Sequence, residues 1–301
     1  MIRLQLPESL RSLNSRKDRF IEDLQNLPTA MSINSLSFTE SQKVEGKRSA
    51  MHAQLSYRFH RFKRGLFARL ALLHPGFVSL LSTGSPLRRF HEMGKGRTLI
   101  VFLPGIGDMA EDFIKNGIVE DMRMQGVQAD AVMVDAHYGY YVKETFFERV
   151  TVDVVQWARK KGYESIWLAG VSLGGFGAAL YAARHRTHIQ GLVLFAPYLG
   201  TKTLIDEIRR AGGLAQWEPG TIPDKDYARY LWAWLQQRAV RNEELPIYLA
   251  YGRSDKFAPA NQLLSESLPD NQVITLAGGH NWPTWKKLWR ALLPSWKERV
   301  R

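Results

Sequence analysis

The chain has 301 residues, 45% of them hydrophobic and 23% charged, enough to bury one large core or two modest ones and too mixed for a collagen-like, coiled-coil or wholly disordered chain. Its formal charge of +12 is unevenly spread: residues 1–97 carry 17 basic and 7 acidic side chains, residues 98–301 carry 24 and 22. Zero cysteines exclude disulfides, thiolate zinc sites, iron–sulfur centres, a cysteine nucleophile and lipid attachment through cysteine, and leave the redox compartment open.

Residues 1–97 read as a basic, partly helical N-terminal extension. Leu10, Leu13, Phe20, Ile21, Leu24 and Leu27 recur at helical intervals and predict an amphipathic helix over 7–27, followed by a polar linker or weak strand pair over 32–50. Arg58, Arg61, Lys63 and Arg64 then precede an apolar run from Gly65 to Leu81, with Arg88 and Arg89 beyond it. Arg69, His74 and Pro75 interrupt that run, so it does not read as a transmembrane helix.

Three readings of this stretch compete. It is a helix packed on the core with a solvated basic face, in a cytoplasmic protein. Alternatively it is a peripheral contact at the inner face of an anionic membrane, with Leu66, Phe67, Leu70 and Leu73 inserted at the interface. Or translation starts at Met51, and residues 51–82 form the charged and apolar parts of a signal peptide or anchor; against this stands the lack of an A-x-A cleavage site. The extension carries no zinc-finger, RRM-like or helix-turn-helix signature, so no specific nucleic acid is expected as a partner.

From residue 98 short apolar, β-branched runs alternate with helical stretches, which predicts an α/β fold: a mostly parallel central sheet with helices on both faces. Strands are expected at Thr98–Leu103, Ala129–Val134, Ser165–Ala169, Gly191–Phe195, Pro246–Tyr251 and Gln272–Leu276, and helices near 109–124, 143–161, 174–185, 258–267 and 283–292. In such a fold the chemistry collects at the carboxyl ends of the strands. The connection over residues 199–244 is too long for a simple crossover and reads as a helical cap. Its Trp217, Tyr227, Tyr230, Trp232 and Trp234 either line an apolar pocket or pack at helical spacing in the ordinary way.

Residues 170–174 read Gly-Val-Ser-Leu-Gly, with Gly175 next. Two glycines and a serine at this spacing arise by chance about once in ten chains of this length. Here the apolar run Ile166–Ala169 ends directly before the motif and a small-residue helical segment begins directly after it, which is the strand, sharp turn and helix of a nucleophile elbow. So tight a turn crowds the residues two before and two after the serine, and Gly170 and Gly174 have no side chains to clash. The hydroxyl is thereby raised above the sheet, beside the N–H groups of a helix N-terminus.

With these residues the chain resembles the α/β-hydrolase superfamily over about residues 98–301. The resemblance implies an acid and then a histidine after the elbow. Asp255, just past the run starting at Pro246, and His280, past the run starting at Gln272, supply them in the order Ser172, Asp255, His280. It further implies that His280 takes the proton of Ser172 during attack while Asp255 fixes its tautomer. The oxyanion would be held by the backbone N–H groups of Leu173 and Ile106, the latter in the loop Leu103-Pro-Gly-Ile-Gly-Asp108, where Pro104 stands in place of the family's frequent histidine. Asp135 also follows a strand and is an alternative acid, and His137, Tyr138 and Trp217 are candidate substrate-lining residues.

The expectation is a serine hydrolase that cleaves a small-molecule carboxylic ester or thioester through an acyl-enzyme, with an apolar acyl group favoured by the aromatic cap. Peptidase, acyltransferase and lipase branches stay open, while a serine at the elbow argues against the haloalkane- and epoxide-cleaving branches, which use aspartate there. The alternative is a noncatalytic ligand-binding or membrane-surface protein on the same fold. No metal-binding HExxH, Walker loop or dinucleotide fingerprint is present, so no metal and no cofactor are expected.

Overall fold

The computed structural model describes residues 89–92, 96–241 and 245–300. The helix expected over 7–27, the linker over 32–50 and the basic and apolar segments between 51 and 88 lie outside the described residues.

A seven-stranded sheet forms the centre: β1 (Arg89–Glu92), β2 (Thr98–Leu103), β3 (Asp130–Val134), β4 (Ser165–Val171), β5 (Gly191–Phe195), β6 (Ile247–Gly252) and β7 (Val273–Leu276). Their order across the sheet is β1-β3-β2-β4-β5-β6-β7. All neighbours are parallel except β1, which runs antiparallel to β3 with His91 opposite Val132. Every residue of β2, β3, β5 and β6 is buried, as a parallel sheet covered on both faces requires, whereas β7 at the edge is half-buried throughout.

The six strands read from the sequence are all present, with ends shifted by two residues at most. β1 was not read. Its Arg-Phe-His-Glu sequence carries no apolar run, and an edge strand with charged residues suits an edge that must not pair further. The sheet therefore begins ahead of the expected boundary at residue 98. Arg89, counted with the basic stretch, lays its guanidinium over the Trp157 ring at 4.6 Å and donates to the Asp153 carbonyl, and this burial lowers its pKa.

The helix expected over 109–124 is two, α1 (Ala110–Lys115) and α2 (Ile118–Met124), because Gly117 between them is left-handed at φ +69° and breaks the ladder. A short helix, α3 (Tyr138–Val142), precedes α4 (146–160), whose middle, Val150–Gln156, is wound as a π-helix. Next come α5 (Leu173–Arg184), α6 (Lys202–Arg210), α7 (Tyr227–Arg241), α8 (Ala258–Ser265) and α9 (Trp282–Trp296). Among the described residues no helix is long and apolar enough to cross a membrane.

Two helices position the functional edge. α5 buries Gly174, Gly175 and Gly177 with Ala178, Ala179 and Ala182, a face small enough to lie close on the sheet. α9 starts at Asn281, whose side chain caps the Thr284 N–H at 3.0 Å, and buries Trp285, Leu288, Trp289, Leu292, Leu293 and Trp296 at helical spacing. Trp289 stands edge-on to Phe102 and Phe195 and donates its indole N–H to the Ile118 carbonyl at 2.9 Å, while Arg290 forks onto buried Asp121 at 2.9 and 3.0 Å.

Residues 199–244 hold α6 and α7. Trp217, expected among substrate-lining residues, is buried inside this segment, 2% exposed, and donates its indole N–H to Glu207 at 2.9 Å. Trp232 is likewise buried and bonded to the Leu199 carbonyl at 2.7 Å, and Tyr227 and Tyr230 lie beside the Arg184 guanidinium. Both indoles are thus turned inward onto acceptors of the segment itself, while Tyr227 and Tyr230 meet the end of α5.

Candidate active site

The parallel strands end at one edge, and the strand order reverses beside β2, with β3 on one side and β4 on the other. The turn after β2 and the turn after β4 are therefore neighbours. A Cβ built on Gly105 would lie 3.5 Å from the Ser172 Cβ.

Ser172 stands between β4 and α5 at φ +53°, ψ −114°, a conformation that residues with a Cβ rarely adopt. Its N–H donates to the Phe195 carbonyl at 2.9 Å, and its carbonyl accepts from Phe176 and Tyr198, each at 3.1 Å, so the strained residue is bonded on both sides. A Cβ on Gly170 would run into the Gly174 carbonyl group, and one on Gly174 into the Leu103 carbonyl. The crowding inferred from the motif spacing is thus present, and it extends to β2.

On the next strands, Arg253 N–H donates to the Leu276 carbonyl at 2.8 Å and Ser254 N–H to the Gly278 carbonyl at 3.0 Å, which draws the loops after β6 and β7 together. Asp255 has a fully buried carboxylate. Its Oδ1 accepts the Phe257 N–H at 2.8 Å, and its Oδ2 lies 2.7 Å from His280 Nδ1. A carboxylate only accepts, so Nδ1 carries the proton and donates, which leaves His280 Nε2 to accept from the Ser172 hydroxyl 2.9 Å away. The His280 ring is held edge-on between Phe257 and Trp285, each with ring centroids 5.0 Å distant.

Asp135, the alternative acid, is directed elsewhere: its Oδ1 accepts the Ala110 N–H at 3.2 Å and so caps the start of α1. His137 is buried as the N-cap of α3, accepting the Gly139 N–H on Nδ1 at 3.2 Å with its ring against Tyr140. Half-buried Tyr138 follows it, with a hydroxyl whose pKa burial raises. Leu173 is the first residue of α5, where helical N–H groups have no partner within the helix, and Ile106 lies 41% exposed in the turn closed by the Asp108 N–H to the Gly105 carbonyl at 3.1 Å.

Three further residues at this edge carry no signal in the sequence. Tyr198 and Phe257 stack edge-on at 5.5 Å, next to the Ser172 backbone and the His280 ring respectively. Asp108 accepts the indole N–H of Trp282 at 3.1 Å. Their positions depend on loops that meet only in the folded sheet, so no local spacing marks them. A separate surface cavity of about 360 Å³, lined by Thr151, Val155, Gln156, Arg159, Lys160, Thr187 and His188, shares no residue with this edge. Among the described residues no group of three or more histidine, aspartate or glutamate side chains is placed to hold a metal ion.

The family described as serine aminopeptidase, S33, matches residues 145–228, a stretch that includes Ser172 and stops short of Asp255 and His280. Among solved structures, Est1E from Butyrivibrio proteoclasticus is similar at a TM-score of 0.51 and 21% identity, over 73% of this chain and 95% of that one. A ferulic acid esterase is similar at a TM-score of 0.51 and 14% identity, over 72% of this chain and all (100%) of that one. No curated protein matches the sequence.

Proposed function

We propose that this chain, a member of the α/β-hydrolase superfamily by its fold, is a serine hydrolase that cleaves carboxylic esters or thioesters through an acyl-enzyme. The observation that carries the reading is the strained Ser172, φ +53°, with its Oγ 2.9 Å from His280 Nε2 and His280 Nδ1 2.7 Å from buried Asp255. Backbone strain of about 1–3 kcal/mol at a nucleophilic side chain, beside a base already in its accepting tautomer, is the arrangement that acyl transfer needs.

The steps follow from the groups present. Ser172 Oγ attacks the substrate carbonyl carbon as its proton passes to His280 Nε2. Asp255 stabilises the imidazolium and keeps Nδ1 protonated. The carbonyl oxygen gains negative charge and is met by the N–H groups of Leu173 and Ile106, donors fixed before the reaction starts. Collapse expels the alkoxide or thiolate, which leaves with the proton from Nε2, and a water activated by the same nitrogen releases the acid and restores the Ser172 hydroxyl. Tyr198 and Phe257 at the edge suit an apolar acyl group. The ferulic acid esterase among the structural neighbours accords with an ester substrate, and the S33 match keeps peptides among the substrates to be screened.

Labelling with a fluorophosphonate tests the reading. The native chain should label, and Ser172→Ala, His280→Ala and the heat-denatured chain should not. A folded native chain that takes no label would move the assignment to a noncatalytic binding protein on this fold. A labelled chain should then hydrolyse p-nitrophenyl esters, and a folded His280→Ala variant that hydrolyses them at the native rate counts against His280 as base.

A further inference from the structure

We propose that Asp108 is a positioning residue that registers the oxyanion turn against the histidine loop through Trp282, an inference that rests on the serine-hydrolase reading above. Asp108 closes the turn 105–108, in which Gly107 is left-handed at φ +82°, by donating its N–H to the Gly105 carbonyl at 3.1 Å. Its side chain folds back over the same turn: Oδ2 lies 2.8 Å from where a Cβ on Gly105 would stand, and that same point is 3.5 Å from the Ser172 Cβ. Its other oxygen, Oδ1, accepts the Trp282 indole N–H at 3.1 Å.

Trp282 is the first residue of α9, two positions after His280. Its ring stands edge-on to Phe113 at 5.2 Å and to Trp285 at 5.3 Å, and Trp285 stands edge-on to His280 at 5.0 Å. One carboxylate thus joins the turn that carries the Ile106 N–H to the first residue of the helix that directly follows the loop of the base. The two loops belong to strands at different places in the sheet, and catalysis needs donor and base fixed against the same substrate carbonyl.

The charge of Asp108 does not itself help, because a carboxylate beside the oxyanion turn opposes negative charge developing there. What it supplies is a fixed acceptor. Asp108→Asn, which keeps an acceptor oxygen, should therefore retain most of the activity, while Asp108→Ala should lose most of it.

The test is a double-mutant cycle on p-nitrophenyl butyrate hydrolysis, with fluorophosphonate labelling of each protein alongside. Asp108→Ala and Trp282→Phe, which keeps the ring packing and removes only the N–H, should each lower kcat about tenfold to a hundredfold with KM little changed. The double variant should be no worse than the poorer single one. Multiplying losses, wild-type activity in Trp282→Phe, or Asp108→Asn as damaging as Asp108→Ala would each overturn the proposal. A native chain that labels while positions 108 and 282 act independently defeats this inference alone; a folded native chain that never labels defeats it together with the hydrolase reading.

Discussion

Ser172 holds a backbone conformation, φ +53°, ψ −114°, that costs any residue with a Cβ, and the sheet holds it there through the Phe195 carbonyl on one side and the Phe176 and Tyr198 N–H groups on the other. Ser172→Ala and Ser172→Gly both lose the hydroxyl and its bond to His280, yet only glycine relaxes at this φ. Relief of strain exceeds the extra chain entropy that glycine loses on folding, so Ser172→Gly should be more stable than Ser172→Ala by about 1 kcal/mol. Denaturant midpoints at equal slope decide this; an alanine variant as stable as the glycine variant would mean that the turn is not strained. Crowding of this kind is local, which is why Gly170, Ser172 and Gly174 were legible in the sequence. The proposed acid was less so. Asp135 and Asp255 both follow strands, and what separates them is that the β6 and β7 loops meet while Asp135 is taken up by the start of α1. Asp108 and Trp282 were not legible as a pair, because nothing within reach of either residue in sequence records that their loops face each other.

At the scale of elements, buried parallel strands announced themselves as apolar runs, and the elements missed or merged were those whose signal was weak. β1 is four residues with two charges and a histidine, and the αL glycine that splits α1 from α2 lies inside an otherwise continuous helical pattern. The segment 199–244 read as helical, but the spacing of its aromatic residues did not say which would be turned inward. Its helices are tied by Glu207 on α6, which accepts both Arg229 guanidinium arms from α7 at 2.7 and 2.6 Å and the Trp217 indole N–H. These bonds hold the Glu207 carboxyl down to about 2, against 4.5 unperturbed. The native state therefore binds fewer protons there than the unfolded chain in acid, so the contribution of this contact is complete above about pH 4.5 and fades as pH falls toward 2. The carboxylate is partly solvated, which keeps the contribution modest. Urea unfolding of the native chain and Glu207→Gln should show a stability difference near neutrality that shrinks steadily below pH 4.5. A difference that stays constant down to pH 3 would mean that the charge of Glu207 does not hold α6 to α7.

For the whole molecule, the sheet explains why the candidate site lies where it does: the strand order turns back at β2 and β4, and Ser172 rises from that point with the turn 105–108 next to it. It does not explain the charge. Residues 98–301, which hold all of the proposed chemistry, are close to balanced at 24 basic and 22 acidic side chains, whereas residues 1–97 carry 17 against 7. We propose that an excess set apart from the proposed chemistry serves attachment to an anionic membrane rather than substrate capture, with Arg58, Arg61, Lys63 and Arg64 directly before an apolar run that Arg69, His74 and Pro75 interrupt. The full chain should accordingly co-sediment with vesicles containing phosphatidylserine and much less with purely zwitterionic ones. Binding should fall as salt is raised from about 50 to 500 mM, because charge attraction reaches only a Debye length, about 10 Å at 0.1 M salt. Replacing the four basic residues with serine should weaken sedimentation without changing fluorophosphonate labelling in solution, since the labelled serine belongs to the sheet domain. Salt-sensitive binding to duplex DNA in place of anionic vesicles would instead make nucleic acid the partner of this basic third.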